Sequence, residues 1–140
     1  MKILIFYDDV YYRLRSGKKI KKLIENILTS ESCIPGEINI IFTSDKKLIK
    51  INQQFLKHNY FTDVISFSYN QERIINGEVY ISLDTVKENA INYNVSLKKE
   101  ILRVIIHGVL HLCGFEDEDK KKRLVMRAKE DVWIENFYKG

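Results

Sequence analysis

Two of the chain's three histidines, His107 and His111, stand four residues apart in an apolar segment that ends at Gly114. On an α-helix, residues at this spacing lie one turn apart on the same face, so both imidazoles can point at one metal ion. A glycine is typical of the position just after a helix, where a left-handed conformation lets the chain turn back. The pattern therefore predicts a metal-binding helix whose third ligand follows the turn.

The third ligand has four acidic candidates, which follow one another directly: Glu116, Asp117, Glu118 and Asp119. Carboxylate oxygens bind zinc as imidazole nitrogens do, and the spacing alone does not choose among the four. Cys113 offers a softer ligand, but it lies two residues beyond His111, and at about 100° per residue it falls on the opposite side of the helix. We expect Cys113 to pack in apolar surroundings.

The residue after the first histidine is Gly108. Zinc peptidases with an H-E-x-x-H helix share the histidine spacing but place their general base, a glutamate, at that position. The chain therefore lacks the base of that mechanism, which counts against a peptidase. A zinc hydrolase of another substrate, such as a small amide, stays open.

The composition is that of one ordinary globular domain, which we expect to span residues 1–140. Hydrophobic residues make up 45% and charged residues 30% of the 140 residues. The apolar run at residues 1–7 is short for a signal peptide, and the run at 101–112 is short for a membrane span and is interrupted by charge. The two cysteines show no CxxC spacing, so we expect a cytoplasmic protein with no membrane contact.

Positive charge is concentrated in three stretches. The formal net charge is +4, and lysines and arginines cluster at residues 18–22, 46–50 and 120–129. Such runs are usually solvated helix faces, but together with a metal centre they favour a polyanionic partner such as nucleic acid.

Hydrophobic periodicity predicts four strands and five helices. The strands are expected at residues 3–7, 38–43, 63–69 and 78–82, and the helices at 18–28, 44–55, 85–92, 97–112 and 119–138. Helices gathered late in the chain indicate an α+β fold: a small mixed four-stranded sheet packed with about five helices. The helix with the H-x3-H pair is apolar almost all round, so we expect it at the centre, as in zinc hydrolases.

Local signals add four expectations. Pro35-Gly36 should interrupt the chain before the second strand, and Asn76-Gly77 should form the turn of a hairpin. Glu88 stands three residues after Thr85, which is capping-box spacing. The last helix is expected to bury the following side chains: Leu124, Ala128, Val132, Trp133 and Phe137.

The chain resembles the YbeY family of bacterial endoribonucleases, the rRNA maturation factors, over nearly its whole length. The family signature H-G-x-L-H-L-x-G-[YF]-D-H is matched from His107 to Phe115. A second signature, T-[DN]-V-[LI]-S-F, is matched by residues 62–67, and a third, G-[DE]-[IV], by residues 77–79. Three motifs in the right order and separation make this resemblance specific.

The resemblance implies a zinc-dependent, single-strand-specific endoribonuclease with one Zn²⁺ per chain. The expected role is rRNA processing, especially maturation of the 3′ end of small-subunit rRNA, and ribosome quality control. Its expected partners are single-stranded RNA, rRNA, the small ribosomal subunit and ribosome-associated proteins. His107 and His111 would bind the metal and serve catalysis, and Ser66, within the second motif, would orient substrate or support the metal cleft.

The chain departs from the family at two positions. The usual third histidine ligand is replaced by Asp117, which predicts a His₂Asp site with one open position and, because of the added negative charge, a weaker Lewis acid. The family's arginine aligns with Leu56. Three residues are candidates for supplying the lost charge to substrate: Lys57, His58 and Arg73. His58 is also a candidate acid, base or third histidine ligand.

A binding protein is the alternative from a different class. In that hypothesis the chain is an RNA- or ribosome-binding assembly factor whose metal is structural and which has little nuclease activity. Both Leu56 and Asp117 favour it. An open coordination position with metal-dependent cleavage would favour the enzyme instead.

Overall fold

The computed structural model describes residues 2–55 and 62–139, and over these ranges the chain forms four strands and five helices. The strands are β1 (Lys2–Tyr7), β2 (Ile34–Thr43), β3 (Val64–Ser68) and β4 (Ile74–Ser82). The helices are α1 (Gly17–Ser30), α2 (Asp45–Phe55), α3 (Leu83–Asn92), α4 (Leu97–Leu112) and α5 (Lys120–Lys139). The predicted α+β class with a small mixed sheet is confirmed.

The sheet has the strand order β1-β2-β4-β3. β1, β2 and β4 run parallel, and β3 pairs antiparallel with β4 at the edge. Alternating residues such as Ile38, Ile40 and Val79 are fully buried in the core that α4 shares. A strand exposes alternate side chains on opposite faces, so this alternation fixes which face of the sheet receives the helices.

Helix α4 is the central element of the core, as its pattern predicts. Ten of its 16 residues are buried. Ser96 caps its first turn by accepting a hydrogen bond from the backbone of Lys99. A helix fixed at its start and packed along its length holds the side chains of its last turns at set positions.

The predicted turn at Asn76-Gly77 is wrong, because both residues lie inside β4. The hairpin turns earlier, where Gln71 and Ile74 exchange backbone hydrogen bonds around Glu72, whose φ is +55°. Gly77 is required instead by close packing: a Cβ there would lie 2.6 Å from Leu112 of α4. The side chain of Asn76 accepts a hydrogen bond from the backbone of Glu37, so it joins two strands.

Two other local predictions are also wrong. Pro35-Gly36 does not precede β2 but lies within it, at a register shift between β2 and β4. Helix α3 is capped by Ser82, which accepts from the backbone N–H of Thr85, so Thr85 is already helical and the proposed capping box is absent from α3. In both cases the pairing of β2 with β4 decides the boundary: it determines where β2 begins and, by extending β4 to Ser82, where α3 begins.

The buried face of α5 also differs from the expectation. Leu124 and Val132 are 62% and 63% exposed, Ala128 is exposed, and Trp133 is only half-buried. Phe137 is buried as expected. The stripe that faces the core consists of four residues at helical spacing: Met126, Glu130, Ile134 and Phe137. Because the charged residue Glu130 lies in the middle of this stripe, the pattern of apolar residues in the sequence did not reveal it.

Candidate metal centre

The end of α4 has the turn that the sequence predicts. Gly114 has a φ of +99°, which glycine adopts without a Cβ penalty. Its N–H donates to the carbonyl of His111, and the N–H of Phe115 donates to the carbonyl of Leu110. This pair of bonds is a Schellman motif, which ends the helix and reverses the chain. The reversal returns Asp117 to the histidines.

Three side chains converge at this point. Nε2 of His107 lies 3.0 Å from Nε2 of His111. The Asp117 carboxylate places Oδ2 at 3.2 Å from His107 Nε2 and Oδ1 at 3.6 Å from His111 Nε2. Zinc–ligand bonds of about 2.0–2.2 Å put tetrahedral neighbours about 3.3–3.6 Å apart, so these separations of 3.0–3.6 Å are close to those around one such ion.

The other three acidic candidates point elsewhere. The carboxylates of Glu116 and Glu118 lie 3.2 and 3.7 Å from Nζ of Lys122. The carboxylate of Asp119 accepts from the backbone of Lys122 and caps the start of α5. Asp117 is therefore the acid of this run that the turn brings to the histidines.

His107 is held from behind by a carboxylate that sequence reasoning missed. Oε2 of Glu130 lies 2.6 Å from Nδ1 of His107, and Glu130 is only 4% exposed. A proton on Nδ1, donated to this carboxylate, leaves the lone pair of Nε2 directed at the metal site. The only sequence signal was a glutamate at a core position of the α5 stripe.

Arg103 completes this support. Its guanidinium donates to Glu130 at 2.9 Å and to Asp131 at 2.7 Å. Glu130 therefore has a cationic partner within the core, which makes its burial tolerable. The hydrogen bonds of Glu130 with Arg103 and His107 thus connect α5 to the part of α4 that carries the metal-binding histidines.

Their surroundings shift the pKa values of the two histidines in opposite directions. Burial alone would lower the pKa of His107, but the hydrogen bond and charge of Glu130, followed by the charge of Asp117, raise it above its usual value. Burial and the neighbouring His107 hold the pKa of His111 below its usual value. The acids that favour a proton on His107 equally favour a cation beside it, and a neutral His111 is the form that binds metal.

Gly108 and Ser66 lock the metal helix onto the sheet. A Cβ on Gly108 would lie 2.5 Å from Cγ1 of Val79, so α4 approaches β4 more closely than a side chain permits. Oγ of Ser66 donates to the carbonyl of Gly108 at 3.1 Å. A glutamate cannot stand at this contact, which strengthens the argument against a peptidase.

A cavity of about 620 Å³ opens in front of the three donors. We name it the strand-side cavity; its wall includes Thr62, Asp63, Ser66 and Phe115. A substrate group entering it would reach the side of the donors that faces away from Glu130. Ser66 thus lies in the wall of the site as well as bonded to α4.

The remaining residues predicted from the sequence do not belong to the three-donor cluster. Arg73 is exposed in the hairpin turn and lines a separate cavity, whose wall also contains His111. Cys113 lies there too, beside Cys33, and burial raises the pKa of its thiol to about 12. Cys113 is partly buried and packs against the hydrophobic core, as the expected apolar role requires. Leu56, Lys57 and His58 lie outside the described residues.

The fold and the donors together define a class: an α+β protein with a three-donor site that can hold a metal ion at the end of a buried helix. Three protein ligands with an open fourth position are typical of catalytic rather than structural zinc. Within residues 2–55 and 62–139, none of the helices combines the length and apolar content that crossing a bilayer requires.

Comparison with known proteins identifies the family. The sequence profile of the family described as Endoribonuclease YbeY matches residues 9–138. The Endoribonuclease YbeY of Flavobacterium psychrophilum is 40% identical over 136 residues, which cover 97% of each chain. That of Chloroherpeton thalassium is 45% identical over 117 residues, covering 84% of this chain and 83% of its own. The chain belongs to the Endoribonuclease YbeY family.

A solved structure agrees with this assignment. The solution structure of TM1509 from Thermotoga maritima superposes with a TM-score of 0.66 at 31% sequence identity. The superposition covers 97% of this chain and 89% of that one. The resemblance inferred from the three sequence motifs is thereby confirmed.

Proposed function

We propose that this protein is a zinc-dependent, single-strand-specific endoribonuclease that acts in rRNA processing. The proposal is supported most directly by one observation: His107, His111 and Asp117 form a three-donor cluster that opens onto a cavity. Family membership supplies the reaction class, because the relatives are named endoribonucleases. The metal is assigned as zinc, one ion per chain, because two imidazoles and a carboxylate are ligands that zinc accepts.

Each residue of the cluster has a defined task. The ligands are His107, His111 and Asp117, and Glu130 keeps the proton of His107 on Nδ1 so that Nε2 can bind. A zinc ion held there supplies a Lewis acid for a phosphoryl oxygen and a water made more nucleophilic at neutral pH. Asp117 brings negative charge to the centre, so we expect a weaker Lewis acid than with three histidines.

Ser66 is proposed as a substrate-orienting residue. Its hydroxyl lies in the wall of the strand-side cavity, and its proton is donated to Gly108, so its lone pairs remain available to a donor on the substrate. Arg73, Lys57 and His58 are proposed, as in the sequence hypothesis, to contact RNA phosphates. Arg73 is exposed near the site, as such a contact requires.

We infer that the cellular substrate is rRNA of the small ribosomal subunit, processed at its 3′ end in the cytoplasm, with a further role in ribosome quality control. The motifs and the family support this assignment, and ribosome-associated proteins are expected partners. We propose one domain for residues 1–140, since four of the five described helices and the sheet contribute to one core.

Metal analysis coupled to RNA cleavage tests the proposal. The purified protein should contain about one zinc per chain and should cut single-stranded RNA internally but leave a matched duplex intact. A chelator should abolish cleavage, and added zinc should restore it. RNA or ribosome binding that survives metal removal, with no cleavage by the metal-loaded protein, would contradict the enzyme and favour the assembly-factor hypothesis.

A further inference from the structure

A second cavity lies on the other side of the metal centre. It has a volume of about 450 Å³, and we name it the α5-side cavity. It shares four lining residues with the strand-side cavity: Asp63, Val64, His107 and Asp117. Two of the three metal donors, His107 and Asp117, therefore line both clefts, and the metal centre stands where the two clefts meet.

The α5 wall of this cavity is basic. Lys120, Arg123 and Arg127 all line it, and their spacing of three and four residues places them on one face of the helix. Lys120 is exposed, and the side chain of Arg127 is 59% exposed. Their cations reach solvent at the mouth of the cavity, along about 10 Å of helix.

Arg123 has a different role from its two neighbours. Its guanidinium donates to the backbone carbonyls of Asp117 and Glu118, at 3.4 and 3.3 Å. It therefore steadies the loop that presents the third metal donor. Arg127 lies 3.9 Å from a carboxylate oxygen of Glu130, a long contact for a side chain that is 59% exposed. Its cation, like that of Lys120, can therefore turn toward a ligand in the cavity.

The opposite wall ends in an aromatic side chain. Tyr93, at the C-cap of α3, lines the cavity and is 61% exposed. Four acidic residues also line the cavity. Glu100 and Glu130 are buried, and Glu130 is paired with Arg103. Asp63 is half-buried, and the side chain of the metal donor Asp117 is 40% exposed. The mouth thus presents cations and one aromatic ring, and the exposed carboxylate beside them is that of the metal donor Asp117.

We propose that the α5-side cavity binds one flank of the RNA strand, with backbone phosphates on Lys120 and Arg127 and a base stacked on Tyr93. The other flank lies in the strand-side cavity, and the phosphodiester to be cut lies between them at the metal centre. This inference rests on the proposed function. An endonuclease must bind its chain on both sides of the cleaved bond, and two clefts that meet at the donors provide this path. Phosphate contacts together with aromatic stacking are the usual means of holding single strands.

Binding measurements with the metal-loaded full chain test this inference. The probe is a fluorescent single-stranded oligoribonucleotide with 2′-O-methyl riboses, checked for integrity on a gel after each titration. Lys120→Gln should weaken binding and reduce the slope of log K against log salt by about 0.7, the value for one phosphate contact on a single strand. Tyr93→Ala should weaken binding by at least about fivefold.

Matched controls distinguish a cavity contact from general charge. Lys121→Gln removes the same charge one residue away, on a side chain that lines a different cavity. Tyr138→Ala removes another exposed tyrosine, on α5 but outside the α5-side cavity. Both controls should leave the affinity and the salt slope as in the unsubstituted chain. Equal effects of Lys120→Gln and Lys121→Gln, or no effect of either, would overturn the inference.

The outcome is separable from that of the proposed function. Cleavage by the unsubstituted chain is scored independently, with and without chelator. Cleavage with no specific effect of Lys120→Gln and Tyr93→Ala overturns the α5-side path alone. A specific loss of binding without any cleavage supports the path and contradicts the nuclease.

Discussion

The two histidines of the metal centre are positioned by different parts of the molecule. His111 lies beside the Schellman turn, and its closest polar partners, His107 and Asp117, stand within six residues of it in the sequence. His107 is held by Glu130 of α5, which is 23 residues away along the chain. One side of the site is local, and the other depends on packing between two helices.

This difference has a consequence for how the site can fail. A change in the turn should disturb the arrival of Asp117, while the histidines stay on a helix that the core holds. A change in α5 should alter the basicity and orientation of His107 without altering the turn. The two sides can therefore be perturbed separately.

The largest effect is expected from removing either histidine. His107→Ala and His111→Ala each remove one of three donors, so metal affinity should fall by more than about 100-fold, the upper end for loss of an outer partner. Elemental analysis should find most of the zinc gone and RNA cleavage abolished in both. Full metal retention in both variants would show that the site lies elsewhere.

Substitutions at Asp117 test the part of the site that depends on the local sequence. Asp117→Asn keeps the size and one oxygen but removes the charge, so zinc affinity and cleavage should fall less than in the alanine variants. Asp117→His should retain zinc binding, because a third imidazole replaces the carboxylate as the ligand. Glu116→Gln, Glu118→Gln and Asp119→Asn are the controls, since their carboxylates contact Lys122. Zinc loss in one of these controls, with full zinc in Asp117→Asn, would contradict the assigned ligand.

Substitution of Glu130 tests the part of the site that depends on packing between α4 and α5. Glu130→Gln should lower metal affinity by about 10- to 100-fold, because the carboxylate that orients His107 is lost. Asp131→Asn is the matched control: Asp131 also accepts from Arg103, but its side chain is 59% exposed and has no contact with His107 among the described interactions. Competition for zinc with a chromogenic chelator measures the metal affinity of both variants. Equal metal affinities would mean that Glu130 supports only the fold.

A smaller change is expected at the helix–sheet contact between the two histidines. Gly108→Ala inserts a Cβ 2.5 Å from the stiff, buried Val79, and overpacking of this kind costs about 1–3 kcal/mol. The helix propensity of alanine offsets about 1 kcal/mol of this. Urea unfolding should show a net loss of stability. Gly17→Ala, where the added Cβ has no neighbour within 4 Å, should show none.

The smallest expected effect is that of Ser66→Ala. The variant loses a hydrogen bond to the Gly108 carbonyl, worth about 0.5–1.5 kcal/mol, and a polar group from the cavity wall. If Ser66 orients RNA, KM should rise by up to about tenfold while zinc content stays at one per chain. A loss of unfolding free energy with KM and kcat unchanged would leave Ser66 a purely structural role.

Sequence alone was sufficient for the parts of the site that depend on local spacing. Two histidines at i and i+4, followed by a glycine, require only helical geometry and the conformational freedom of glycine to predict the motif at the end of α4. The burial of α4 also followed from its apolar pattern. Asp117 was one of four adjacent acids from spacing alone, and only the family motif selected it in advance.

Tertiary structure decided the features that need a partner from elsewhere in the chain. Asn76-Gly77 has the composition of a turn, but pairing with β2 and contact with Leu112 place it inside a strand. The buried face of α5 was misassigned because a periodicity of apolar residues ignores a glutamate. Glu130 is tolerated in the core because it has charged or hydrogen-bonding partners there: Arg103 and His107 on α4, and Arg127 of α5 at 3.9 Å. A pattern within one helix does not contain the partners on another, so only the packed structure specifies that buried charge.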